Sequence, residues 1–503
     1  MSVHEKMNEL SLQEKLYQLV IGRLDGNRLD SAQYRESLLQ FVDKGIGGFI
    51  IFGGNSDELR QFIKECQERC RTIVFFAADI ERGVGQQVSQ ATLFPCQMAM
   101  AAAVRRDVRE DILLLQQAIE AIALESIDIG INLPLIPVLD VNRNPFNPII
   151  CTRAFSDDPA TVSWFGRFYV DTIEQAGIMS CVKHFPGHGD TAKDSHITLP
   201  VISKTNTELY NIDILPFEDC INIGVQCIMV GHLSVPCIDE APATLSQEIV
   251  TGLLRNKYKY DGLIITDALN MDALKWMDNV PARCIQAGMD VLLHPLDVNA
   301  IVDELMSALR DGIIEQAQID LAVKRILSVK ERLSFRHKSV TNQEKHVELS
   351  KQLTEKSITL VKGKEEIFPL PWQARLILVG NDKLCETSPL LTYFDKYVNL
   401  KEESLSDLSH TAVVIAVFTS VKAWHGTSGL TGSEIDLING IISRAHHCIV
   451  ISFGSPYVLS HFGSADILIA AYEESFQAQL SVIKCLSGES GFSGRLPVVV
   501  RPS

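Results

Sequence analysis

Eight short apolar runs, each followed by a longer amphipathic stretch, fill the first two thirds of the sequence, and this alternation limits the possible folds more than any other feature. The runs are residues 16–21, 48–52, 72–78, 135–139, 179–182, 227–230, 263–266 and 291–293. Apolar runs of this length bounded by turn residues read as strands buried on both faces, and a strand-then-helix repeat builds a parallel sheet. Eight such units are what a (β/α)8 barrel needs, and its active site lies at the C-terminal ends of the strands. The residues that follow each run are therefore candidate site residues. The third run leads into Asp79-Ile80-Glu81-Arg82-Gly83, the fourth into Asp140-Val141-Asn142 and the fifth into Lys183-His184. The sixth leads into Gly231-His232, the seventh into Asp267 and the eighth into His294. So many ionisable groups converging on one rim favour a binding site over a set of strand-end caps.

The alternation stops near residue 334, where Arg336 to Lys345 is polar and unperiodic. We expect a barrel domain over residues 1–335, a linker over 336–346 and a C-terminal α/β domain over 347–503. In the last of these, strands are expected at 374–380, 412–418, 448–454 and 467–472, with helices at 433–445 and 475–486 between them, giving an open sheet. It contains no glycine motif of the Walker or dinucleotide type.

Composition removes several classes of function. With 46 Lys+Arg against 62 Asp+Glu the formal charge is -16, which leaves a nucleic-acid backbone little reason to bind. A small neutral or mildly charged substrate fits better. The start, Met1-Ser2-Val3-His4-Glu5-Lys6, lacks the pattern of a secretory signal, and no apolar segment is long enough to span a bilayer, so a cytoplasmic location is expected. The 12 cysteines are scattered, several of them within apolar runs, which reads as reduced core residues. Cys66 and Cys70 are four apart but lack a second pair of ligands, so neither a metal nor another cofactor is expected.

One stretch has no packing rationale. Lys183-His184-Phe185-Pro186-Gly187-His188-Gly189-Asp190-Thr191-Ala192-Lys193-Asp194-Ser195-His196 is too polar for a core strand, and its glycines and proline rule out a helix, so the strand is expected to end and a loop to begin here. Taken alone it is either a functional loop or a solvated turn. Its pattern, Lys-His-Phe-Pro-Gly-His-Gly, four residues and then Asp-Ser-His, resembles the signature of the β-N-acetylglucosaminidase branch of family-3 glycoside hydrolases. The run Gly231-His232-Leu233-Ser234-Val235-Pro236 and the Thr266-Asp267-Ala268-Leu269-Asn270-Met271 that follows it also resemble that family. So do Phe453-Gly454-Ser455-Pro456-Tyr457 and Gly494-Arg495-Leu496-Pro497-Val498 in the C-terminal domain, extending the likeness over nearly the whole chain.

The resemblance implies roles. Asp267 would be the nucleophile, although its local sequence fits the N-cap of a following helix equally well. Asp194 and His196 would form an acid/base dyad, the carboxylate orienting the imidazole and favouring its protonated form. Lys183 and His184 would hold sugar hydroxyls. Asp79 would grip two hydroxyls of the terminal sugar and Arg153 would match the family's arginine; each fits an ordinary surface ion pair as well. One departure stands out: Arg82 precedes Gly83 where the branch usually has two glycines, which bears on the leaving-group side of the pocket. The implied activity is that of a metal-independent, retaining exo-β-N-acetylglucosaminidase acting on cell-wall fragments. The alternatives are a phosphorylase on the same scaffold and a sugar-binding protein without turnover.

Overall fold

The computed structural model describes residues 3–193, 195, 197–333, 340, 342–370, 373–380, 388–400, 412–419 and 429–501. The chain forms two compact units, each built from more than one segment. The first comprises Met1–Leu93, Ala118–Val141 and Pro159–His346; the second comprises Phe94–Gln117, Asn142–Asp158 and Val347–Ser503.

In the first unit the strands are β1 (Val20–Asp25), β2 (Gly48–Phe52), β3 (Phe75–Ala78), β4 (Leu133–Pro134), β5 (Cys181–Phe185) and β6 (Cys227–Val230). After a small antiparallel hairpin of β7 (Ser234–Val235) and β8 (Asp239–Pro242) come β9 (Leu263–Thr266) and β10 (Leu292–Leu293). Parallel pairing gives one sheet in the order β10-β1-β2-β3-β4 and another in the order β5-β6-β9. Two isolated parallel bridges, Val138 with Lys183 and Ile265 with Val291, link the sheets into a closed parallel circuit. Strands β2, β6 and β9 coincide with the expected runs. Their residues are buried from end to end save for Phe52, as strands covered on both faces should be.

Besides residues 72–74, which precede β3 instead of belonging to it, three expected strands are corrected. Residues 16–18 are not strand: Leu12–Gln18 is a helix whose N-terminus Ser11 and Glu14 close as a capping box, and β1 starts only at Val20. At 135–139 the regular ladder is absent and β4 is confined to Leu133–Pro134; Pro137 has no N–H with which to continue it. The segment still runs between its neighbours, since Leu135 donates to the Ala78 carbonyl at 2.9 Å and Leu139 to that of Lys183 at 2.7 Å. The third correction matters most for function: Lys183, His184 and Phe185 do not begin a loop but complete β5, all of them buried.

The second unit holds a six-stranded sheet in the order β11-β16-β15-β14-β12-β13. Its members are β11 (Thr359–Lys362), β12 (Ala374–Val379), β13 (Tyr397–Asn399), β14 (Ala412–Thr419), β15 (His447–Gly454) and β16 (Ile467–Ala470). Pairing is parallel except at β11, which runs against β16 along one edge. The alternation of side chains divides the core into two layers. Ile377, Val379, Val413, Ile415 and Val450 face Ile438, Ile441 and Ile442 of the helix Gly432–Ile442. Leu376, Leu378, Val414, Ala416 and Ile451 face Val482, Cys485 and Leu486 of the helix Phe476–Leu486. Of the expected linker, Gln343 onward is already the helix Gln343–Ser357, and residues 336–339 and 341 lie outside the described residues. No helix among the described residues is long and apolar enough to cross a membrane.

Candidate active site

One group of buried polar residues in the first unit lies where the strands end. Lys183 is 1% exposed on β5, and a buried ammonium needs compensation. It has two carboxylate partners from the segment after β3: Asp79 Oδ1 at 2.6 Å and Glu81 Oε1 at 2.8 Å. The two acids differ in access, because the Asp79 side chain is 34% exposed and that of Glu81 only 6%. Asp79 is thus the more accessible partner of the lysine, and Glu81 the buried one.

His184 is paired from the next position around the circuit. Its Nδ1 lies 2.7 Å from Asp140 Oδ2, and Asp140 Oδ1 accepts the backbone N–H groups of His184 at 3.2 Å and His188 at 2.6 Å. Burial alone would push the fully buried Asp140 carboxyl up, but His184 and His188 together hold it below the ordinary carboxylate range. One carboxylate therefore fixes both the ring of His184 and the backbone turn at His188. The His188 ring stands edge-on to that of His184 at 6.0 Å. Its Nδ1 is 2.8 Å from Thr191 Oγ1 and its Nε2 is 2.9 Å from Ser195 Oγ. Burial pushes the His188 imidazole down to about 4 against the pull of Asp140, so it is neutral at neutral pH.

The turn between these histidines packs closely on a second buried cluster. Gly187 has φ +131°, and a Cβ there would lie 2.6 Å from Asp213 Cβ, so only glycine suits the position. Asp213 takes both oxygens to Lys204 Nζ, at 3.0 and 2.7 Å, and Lys204 also reaches Asp190 at 3.2 Å. Burial raises the Asp213 carboxyl to about 6 despite Lys204.

Asp267 directly follows β9 and is partly exposed. Its backbone N–H donates to the Val230 carbonyl at 2.9 Å, and its Oδ1 accepts the Ala268 N–H at 2.8 Å. The next carbonyl, that of Ala268, is 3.2 Å from Nε2 of the buried His232, whose Nδ1 is 3.0 Å from Thr244 Oγ1. A carbonyl can only accept, so Nε2 carries a proton and donates it to Ala268. The backbone is thus held on both sides of the Asp267 carboxylate, whose charge is felt at His188. At the far side of the circuit, burial assisted by Arg23 pushes His294 down to about 4, and its ring lies 5.0 Å from Phe52.

Among the residues singled out from the sequence, Asp79 and Lys183 are in contact, and His184 and Asp267 lie on the same set of strand ends. Arg153 belongs to the second unit, where its Nη1 donates to the Ile149 carbonyl at 3.0 Å. Asp194 and His196 lie outside the described residues, although Ser195 between them is described. Sequence reasoning gave no role to Glu81, Asp140 or Lys204. The first two were visible as strand-end acids, but their pairing with Lys183 and His184 is a property of the tertiary fold.

The chain was compared with known proteins. The family described as "Glycosyl hydrolase family 3 N terminal domain" matches residues 11–329. "Beta-hexosaminidase A" of Pseudoalteromonas piscicida is 28% identical over 539 residues, covering 90% of this chain and 89% of its own. The structure of a glycoside hydrolase family 3 beta-N-acetylglucosaminidase from Paenibacillus sp. str. FPU-7 is 26% identical, with a TM-score of 0.83, and the match covers 98% of this chain and 100% of that one. A beta-glucoside phosphorylase structure has a TM-score of 0.87 over 99% of this chain and 96% of its own; at 23% identity it speaks for the fold alone. Because the family match takes in more than half of the chain, from residue 11 to residue 329, the protein belongs to glycosyl hydrolase family 3 and is a glycoside hydrolase.

Proposed function

We propose that the protein is a retaining exo-β-N-acetylglucosaminidase whose first unit is a (β/α)8 barrel, with Asp267 as the nucleophile. The observation that carries this reading is the setting of Asp267: a partly exposed carboxylate at the end of β9, its backbone tied to Val230 on one side and to His232 on the other. Such anchoring holds a nucleophile in line with an anomeric carbon without reorganisation. The names of the hexosaminidase relatives support the choice of sugar.

In the first step the Asp267 carboxylate bonds to the anomeric carbon as the glycosidic C–O bond breaks, and protonated His196, oriented by Asp194, gives its proton to the departing oxygen. In the second step neutral His196 removes a proton from water, which attacks the same carbon and releases Asp267. Two inversions leave the anomeric configuration unchanged. Asp79, braced by Lys183, accepts hydroxyl protons of the terminal sugar, and Lys183 and His184 complete its grip. No metal or cofactor is called for. We place the enzyme in the cytoplasm, trimming terminal N-acetylglucosamine from cell-wall fragments during their recycling.

Incubation with an aryl β-N-acetylglucosaminide, with and without phosphate, tests the reading when the first-formed sugar is followed by NMR. The β-anomer of N-acetylglucosamine is expected under both conditions. A sugar 1-phosphate would make the protein a phosphorylase, the α-anomer an inverting enzyme, and no product a binding protein.

A further inference from the structure

The opposite ends of the strands carry a second concavity. Residues 221–226, which precede β6, residues 258–262, which precede β9, and the helix Gln316–Arg332 line a pocket of about 560 Å³. Four of its lining side chains are cations, Lys259, Lys324, Arg325 and Arg332, and Asp261 is the one carboxylate among the described lining residues. In a chain of formal charge -16 this local excess is unusual.

The charge extends into the protein behind the wall. Asp290 is fully buried and is shared by two guanidinium groups, Arg255 Nη2 at 2.5 Å and Arg325 Nη1 at 3.1 Å. One carboxylate cannot neutralise two arginines, and Nε of each has no hydrogen-bond acceptor among the described residues. Asp261 is 3.9 Å from Arg325 Nε, but its side chain is 97% exposed, so water screens most of its charge. The other acid close by, Glu174, is taken up by Ser180 Oγ and by the backbone and side-chain N–H groups of Gln226. Around pocket and wall, with Glu174 counted, cations outnumber carboxylates five to three.

We propose that this pocket binds a small phosphorylated molecule, a phosphomonoester of about sugar-phosphate size, on the face opposite Asp267. A guanidinium fixed by Asp290 and flanked by exposed lysine and arginine side chains suits a dianionic phosphate better than a single carboxylate. The volume decides for an ester: a pocket of this size is in the range that holds a whole small molecule, far larger than inorganic phosphate.

The test uses the full chain, with isothermal titration calorimetry and thermal unfolding in the presence of glucose 6-phosphate, glycerol 3-phosphate and inorganic phosphate, against potassium chloride at matched ionic strength. Saturable binding of the esters is expected, with a rise in Tm that follows ligand concentration. The double variant Lys324→Gln/Arg332→Gln alters two exposed side chains, so its Tm without ligand should stay close to that of the wild type. Its affinity for the esters should fall about tenfold or more. Three results would overturn the proposal: no saturable binding up to about 10 mM ester, equal binding by wild type and double variant, or inorganic phosphate binding as tightly as the esters. Binding that N-acetylglucosamine displaces and the double variant retains would place the ester on the catalytic face and also overturn it.

Discussion

Acidification from about pH 7 to about pH 5 should remove about 2 kcal/mol of stability through His188 alone. The ring is fully buried between Thr191 and Ser195, and burial takes its pKa from the ordinary 6.5 to about 4. Between these values the unfolded chain binds a proton that the folded chain does not, so stability rises with pH across the window and is lost as pH falls through it. The gap corresponds to about 3 kcal/mol when fully developed, of which about 2 has been lost by pH 5. Other groups act in the same range. His294 adds a loss of the same sign, whereas Asp213, raised to about 6, binds its proton earlier in the folded state and stabilises it as pH falls. Asp140, held low, adds its loss only as pH drops through the ordinary carboxylate range. The effect of His188 is therefore isolated by difference, from urea unfolding of wild type and His188→Gln at several pH values. The wild type should lose about 2 kcal/mol more than the variant between pH 7 and pH 5. Parallel pH dependences would refute the argument, because they would mean that His188 is protonated as readily in the fold as in water.

Lys183→Met should cost about 3–5 kcal/mol and lower Tm by several degrees, since Glu81 loses its buried partner; adding Glu81→Gln should recover part of this in calorimetry. His232→Phe removes the bond to the Ala268 carbonyl, and should lower kcat by about tenfold to a hundredfold with KM changed far less, as steady-state assays would show. His196→Ala should slow cleavage of a disaccharide far more than release of an activated phenol, and rapid mixing should show a phenol burst before slow turnover. Asp194→Ala should behave alike but more mildly. Equal slowing of both leaving groups would move the acid/base role to another residue.

The strand pattern was legible because β2, β6 and β9 are buried on both faces and so carry unbroken apolar runs. At residues 16–18 a local signal outweighs the apolar run. Ser11 and Glu14 spelled a capping box, which claims residues 16–18 for a helix. The end of β5 was misread for a different reason. Lys183 and His184 look like loop residues to any reading of single positions, and only Asp79, Glu81 and Asp140, dozens of residues away, make them tolerable in a buried strand. The assembly of Phe94–Gln117 and Asn142–Asp158 with the C-terminal segment left no mark in composition or periodicity, because it depends on which surfaces those segments meet. Asp267 stood out in the sequence as a carboxylate directly after four apolar or β-branched residues, and the structure places it at the end of β9.

The most direct test of the central claim is to trap the glycosyl-enzyme. A fluorinated N-acetylglucosaminyl fluoride, which forms the covalent intermediate faster than it is hydrolysed, should inactivate the enzyme with a stoichiometry of one. Proteolysis and mass spectrometry should then find the sugar on the peptide containing Thr266-Asp267-Ala268, attached at Asp267. The Asp267→Asn variant should remain folded, take up no label and retain less than about a tenth of the wild-type rate. A label on any other carboxylate, or an Asp267→Asn variant that is inactivated as readily as the wild type, would contradict Asp267 as the nucleophile.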